Sequence, residues 1–199
     1  MNGTGLRARK NTEKILDAAV SLFQVQGIKK VSVSDIALKA GLTPATVYNH
    51  FAGKEELVHE AAVTWYKKAL ADYRAVLETD EPFETKLQNL LTFKTDMAGK
   101  THGEFALFLS SDDPYIRHFL ESDYMQKATA LIFRFFDEGR RQGNVNPDLK
   151  TESIIRFTEL IRKGLNAENE LAADPDYTLN LVKELTPLVL YGILGRAEK

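Results

Sequence analysis

With 199 residues, 44% of them hydrophobic, the chain can bury a real core in one large domain or two small ones, which excludes general disorder. It has no cysteine, so disulfides, thiolate metal sites and cysteine nucleophiles are excluded. A net charge of −2 hides an asymmetry: eight Lys and Arg stand against three Asp and Glu up to Lys54, and 18 against 25 beyond it. A basic segment on an acidic body suits local contact with phosphate; chance surface charge is the alternative. Charges interrupt every apolar stretch before it reaches the ~20 residues of a membrane span, and no apolar leader opens the chain. A soluble cytoplasmic protein without membrane contact is expected.

Apolar residues recur three and four apart almost throughout and no run alternates with period two, so the pattern predicts an all-α chain. The first helix is expected from about Arg9 to Gln26, with Ile15, Leu16, Ala19, Leu22 and Phe23 on one stripe and Gly27 as a left-handed stop. Gly3 and Gly5 read as a disordered end. Two short helices lie between Ser32 and Phe51. A long one follows from about Lys54 to Leu77, carrying Leu57, Ala61, Trp65, Ala69 and Tyr73 along one face.

Pro82 suits the first turn of the next helix, which reaches about Met97 before Gly99. A short apolar piece, Phe105 to Leu109, precedes the loop Ser110-Ser-Asp-Asp-Pro114. One helix then runs to about Gln142, rich in Phe119, Leu131, Phe133, Phe135 and Phe136, and Gly143-Asn-Val-Asn-Pro147 is a turn. The last two helices are expected from about Leu149 to Leu165 and from about Tyr177 to Leu194, with Pro187 bending the second.

The segment Val31-Ser-Val-Ser-Asp-Ile-Ala-Leu-Lys-Ala-Gly-Leu-Thr-Pro-Ala-Thr-Val-Tyr-Asn-His-Phe51 reads as a helix-turn-helix. Ser32 can cap the first helix, and Asp35 can return a bond to the Ser32 amide. Ile36 and Ala37 supply the buried side, Ala40 admits a closely passing helix, and Gly41 permits the positive φ of a sharp turn. Thr43 caps the second helix and Pro44 occupies its first turn, where a missing amide costs nothing. Leu42, Val47 and Phe51 face inward. That leaves Pro44, Ala45, Thr46, Tyr48, Asn49 and His50 on the exposed side or its rim, a short surface without acids that can enter a major groove. A helical hairpin packed within a core is the plainer reading, but two caps, a small residue, a glycine and a proline rarely fall together in twenty residues.

From Thr12 to Leu57 the chain resembles the N-terminal domain of the TetR/AcrR transcriptional regulators. The resemblance rests on Ile15-Leu16, Ala18-Ala19, Phe23 and Gly27, then Ile36-Ala37, Ala40-Gly41, Thr46, Tyr48, Phe51 and Lys54-Glu55-Glu56-Leu57. It implies an N-terminal arm and three-helix DNA-binding domain over residues 1–53, followed by a larger helical effector-binding and dimerisation domain over 54–199. It further implies that Thr43, Tyr48, His50 and Lys54 grip DNA phosphates and that Pro44, Ala45, Thr46 and Asn49 face base edges. Pro44 stands where a basic or polar residue is common in the family, and Ala45 where glycine is common. With no Arg or Lys on the exposed face of the reading helix, a guanine contact falls to the arm Arg7, Arg9 and Lys10, in the minor groove or at phosphates. Lys29 and Lys30 are further phosphate candidates, or plain solvated surface.

The same resemblance implies a homodimer, a double-stranded operator and a small-molecule effector, with repression of a palindromic site relieved by an apolar or aromatic ligand. Pocket candidates are Trp65, Tyr66, Phe93, His102, Phe105, Phe108, Tyr115, Phe119, Tyr124 and Phe133, each of which can equally be core. Dimer-interface candidates are Ile154, Phe157, Ile161, Leu181, Val182, Leu185, Leu188 and Val189, with intrachain core as the alternative. No cofactor or metal site is expected: of the four histidines none stands four from another, and no nucleophile elbow, phosphate loop or dinucleotide fingerprint occurs. The Ser110 to Asp113 stretch with His118 can be drawn as a catalytic site but better caps the helix starting near Pro114. A ligand carrier or partner-binding module of the same fold, without DNA function, is the alternative to a regulator.

Overall fold

The computed structural model describes residues 3–90 and 103–167, together with 181, 184, 185, 188 and 191–193. Among these every regular element is helical: α1 (Gly3–Gln26), α2 (Val33–Ala40), α3 (Pro44–Tyr48), α4 (Lys54–Leu77), α5 (83–90), α6 (Gly103–Leu109), α7 (Pro114–Phe119), α8 (Met125–Arg141) and α9 (Thr151–Ala167). A π-helical turn, Leu120–Tyr124, joins α7 to α8. Residues 181, 184, 185, 188 and 191–193 are also helical. None of the described helices is long and apolar enough to cross a membrane.

Two expectations change. The first helix begins at Gly3, not near Arg9. Gly5 costs a helix only about 1 kcal/mol relative to alanine, and the Leu6-Arg7-Ala8-Arg9-Lys10 run that follows consists of good helix formers. The helix expected to run unbroken to Gln142 is divided by the π-turn, whose wider winding brings the Phe119 and Tyr124 rings within 5.8 Å of each other and both against Tyr66. The expected helix beyond residue 90 and most of the last one lie outside the described residues.

One compact unit comprises α1, α2, α3, α4 as far as Asp72, α6 and α7. Ile15, Ala19 and Phe23 of α1, Ile36 of α2, Val47 of α3 and Leu57 of α4 are all inaccessible to solvent, and Phe105 of α6 joins them, its ring 5.8 Å from that of Phe23. Helix α6, although far along the chain, packs into this core.

The second unit holds the end of α4, α5, nearly all of α8, and α9. Phe83 of α5 stacks on Phe135 at 4.5 Å, and Gly139 leaves the room that the Phe83 ring fills. Arg140 fastens the end of α8 to the start of α9, donating to Thr151 Oγ1 at 2.7 Å and to the Leu149 carbonyl at 3.2 Å.

Candidate nucleic-acid interface

Val31 is fully buried and anchors the entry to α2. Ser32 then closes a capping box: its Oγ accepts the Asp35 amide at 3.1 Å, while Asp35 Oδ2 accepts the Ser32 amide at 2.8 Å and the Ser32 hydroxyl at 2.6 Å. Those bonds, the side-chain one first and the backbone one next, hold the Asp35 carboxyl below its ordinary range. At the other end Gly41 takes φ 67°, and the Leu42 amide reaches back to the Ala37 carbonyl at 2.9 Å. Thr43 Oγ1 accepts the Thr46 amide at 3.2 Å and Pro44 fills the first turn, so α3 starts where the sequence directs.

The residues of α3 and its flanks divide by burial. Val47 is wholly buried, Leu42 and Phe51 flank it in the core, and Pro44, Ala45, Tyr48 and Asn49 are exposed, Tyr48 by 57%. Thr46 is half-buried with its hydroxyl 2.9 Å from that of Thr43, so part of its hydrogen-bonding capacity serves the cap. His50 is also half-buried, its Nδ1 3.0 Å from Thr12 Oγ1; the Thr12 hydroxyl donates to the Ala8 carbonyl, so the ring donates to Thr12. Lys54 begins α4 with Nζ on the Lys29 carbonyl at 3.2 Å. Arg7, Arg9 and Lys10 are exposed on the first turns of α1 and form part of a helix instead of an extended arm.

The expected pocket aromatics separate into groups. Trp65, Tyr66, Phe119 and Tyr124 form one cluster, with Tyr66 5.2 Å from both Trp65 and Tyr124. The Tyr66 hydroxyl donates to the Leu109 carbonyl at 2.6 Å, and burial, then the nearby Tyr124, pushes its pKa up to about 12. Phe108 and Tyr115 pack on the His59 ring instead, at 5.7 and 4.7 Å. Phe105 is core, and Phe133 lines an open depression in the second unit with Arg140 and Thr151. Phe93 and His102 lie outside the described residues. Asp113 caps α7 by accepting the Tyr115 and Ile116 amides at 3.0 and 3.1 Å, and it meets His59 at 3.2 Å, not His118. Among the described residues no group of three or more metal-ligating side chains occurs.

Of the interface candidates, Phe157 and Leu188 are exposed, Ile161, Leu181 and Leu185 are half-buried, and Val182 and Val189 lie outside the described residues. Ile154 departs from expectation: it is 3% exposed and belongs to the second unit's own core, one turn from Thr151 and Arg140. Leu160 and Tyr191, exposed by 60% and 78%, were not anticipated, although Leu160 stands three residues from Phe157 on the same helix face.

A capped short helix, a left-handed glycine turn and a second capped helix with an acid-free outer face form a helix-turn-helix, the kind of unit that binds DNA. Residues 15–61 match the model of the family described as bacterial regulatory proteins, tetR family. The HTH-type transcriptional repressor KstR2 of Mycobacterium tuberculosis is 25% identical over 150 residues, covering 72% of this chain and 74% of that protein. Over its N-terminal quarter the chain is thus similar to the TetR family of transcriptional regulators. The fold of the ketosteroid transcriptional regulator KstR2 from the same organism superposes with a TM-score of 0.59 at 21% identity, over 94% of this chain and 96% of that one. The fatty acid degradation regulator FadR from Bacillus halodurans does so with 0.57 at 21%, over 89% and 93%. The superantigen PfiT shares the fold too, with 0.63 at 18% over 92% and 96%, so function rests on the helix-turn-helix and the family match, not on fold alone.

Proposed function

We propose that this regulator is a homodimeric repressor, acting in the cytoplasm, that holds a palindromic operator and is released from it by a small apolar or aromatic effector. The observation that carries the reading is the α3 face: Val47 is buried beneath it, Tyr48 and Asn49 stand outside, and no acidic residue occurs from Thr43 to Lys54. In this reading Thr43, Tyr48, His50 and Lys54 take phosphates, while Pro44, Ala45, Thr46 and Asn49 meet base edges. His50 would use Nε2, a donor in the imidazolium form, because Nδ1 serves Thr12. Arg7, Arg9 and Lys10, being helical, suit phosphates better than insertion into a minor groove.

The aromatic cluster of Trp65, Tyr66, Phe119 and Tyr124 supports an apolar effector site, and the names of two relatives, concerning ketosteroids and fatty acid degradation, fit that chemistry. Helix α4 carries Lys54 at one end and Trp65 and Tyr66 further along, which makes it the lever between effector and DNA. Phe157, Leu160, Leu188 and Tyr191 supply the apolar surface for a dimer. An effector that prefers a dimer with wrongly spaced reading helices then empties the operator by population shift. Selection of genomic fragments by the purified protein tests this. An inverted repeat with half-sites a whole number of turns apart (about 10 base pairs per turn) is expected; recovery of fragments with no common sequence would contradict it.

A further inference from the structure

Two contacts meet on one residue of the α1–α2 turn. Glu104, on the first turn of α6, accepts the Lys29 amide on Oε2 at 2.8 Å, and its Oε1 lies 3.3 Å from the Lys29 ammonium. The carbonyl of the same residue accepts Lys54 Nζ at 3.2 Å. The approach of Glu104 is close: a Cβ on Gly27, which takes φ 80°, would lie 3.3 Å from Oε2. The carboxylate is therefore lodged over the turn, and the backbone hydrogen bond first, then the Lys29 side-chain bond and the charges of Lys29 and Lys30, outweigh desolvation and keep its pKa low.

We propose that Glu104 is a positioning residue for the DNA-contacting surface. By fixing the Lys29 amide it orients the carbonyl on which Lys54 rests, and so sets where the Lys54 ammonium group meets the phosphate backbone. The inference rests on the reading above, in which Lys54 faces phosphate. It runs against simple electrostatics, which gives it a sign of its own. A carboxylate that did no more than neutralise lysines would weaken DNA binding, and its removal would tighten the complex. A carboxylate that positions them makes its removal loosen the complex.

The test uses the full-length protein and a mixed-sequence 30-base-pair duplex, titrated at several salt concentrations, with circular dichroism to confirm folding. Glu104→Ala is expected to bind about 5- to 10-fold more weakly, with the salt slope reduced by about one phosphate, ~0.9 in log K against log salt. Glu104→Gln keeps an acceptor for the Lys29 amide while losing the charge, and is expected to bind as well as wild type or better. In a Lys54→Met background Glu104→Ala should add little, because the two act through one contact. Affinity of Glu104→Ala equal to or above wild type, or effects of Glu104→Ala and Lys54→Met that add in full, would overturn the proposal. Unchanged binding by Lys54→Met alone would instead remove the phosphate reading and the inference built on it.

Discussion

The helix-turn-helix and α9 solve opposite problems. Between Ser32 and Phe51 every large apolar side chain is buried or half-buried except Leu38 and Tyr48, and the outer face of α3 carries no acid. On α9 Ile154 completes its unit's core, but Phe157 and Leu160 stand 49% and 60% exposed on the next turns. The first region is finished within one copy of the chain and turns its chemistry outward; the second, among the described residues, leaves Phe157 and Leu160 at the surface. Water tolerates scattered apolar groups, so only the oligomeric state decides whether these two belong to the proposed dimer contact.

Substitutions can break this contrast or sharpen it. The largest effect is expected from Phe23→Ala, which empties the centre of the first unit, where the ring is inaccessible and packs on Phe105. It should cost about 3–5 kcal/mol in urea unfolding and abolish duplex binding. Leu160→Glu should act on the other side of the comparison. The protomer should keep its fold, while sedimentation should show the proposed dimer weakened roughly 100-fold, about 3 kcal/mol, because an unpaired carboxylate would have to be buried. Unaltered self-association would remove α9 from the interface.

Smaller effects separate local from long-range causes. Gly139→Ala would set a Cβ 2.2 Å from the Phe83 ring, which is itself pinned against Phe135. Overpacking is expected to outweigh the gain in helix propensity and to leave a net loss of about 1–2 kcal/mol on thermal unfolding. Ser32→Ala should cost about 1 kcal/mol by removing the α2 cap. Acid should act on the same box. The Asp35 pKa is lowered in the folded chain, so its contribution is complete above the unfolded carboxylate value of about 3.9 and disappears as pH falls through the folded one. The stability gap between wild type and Asp35→Asn should therefore narrow on acidification below about pH 4.

What could be read from the sequence follows the range of the interactions. Ser32 with Asp35, Gly41 with Ala37 and Leu38, and Thr43 with Thr46 all act within four residues, so residue type and spacing reveal them. Glu104 gave no such signal, since its partner Lys29 is 75 residues away and a glutamate in a first helical turn is unremarkable. Gly139 was equally silent, because only Phe83 on another helix explains it. The π-turn lies in Leu120-Glu-Ser-Asp-Tyr124, which contains neither glycine nor proline to announce a break. The α9 face was legible in part: the periodicity marked an apolar stripe, but only packing separates buried Ile154 from exposed Phe157 and Leu160.

The most direct test of DNA binding through the α3 face is equilibrium binding of a duplex across a range of salt by wild type and by Tyr48→Ala. Tyr48 is exposed and outside the core, so its loss should leave the unfolding midpoint unchanged. The predicted result is tight, strongly salt-dependent binding by wild type, weakened about tenfold or more in Tyr48→Ala. Equal binding by both proteins, or wild-type binding that ignores salt, would contradict it.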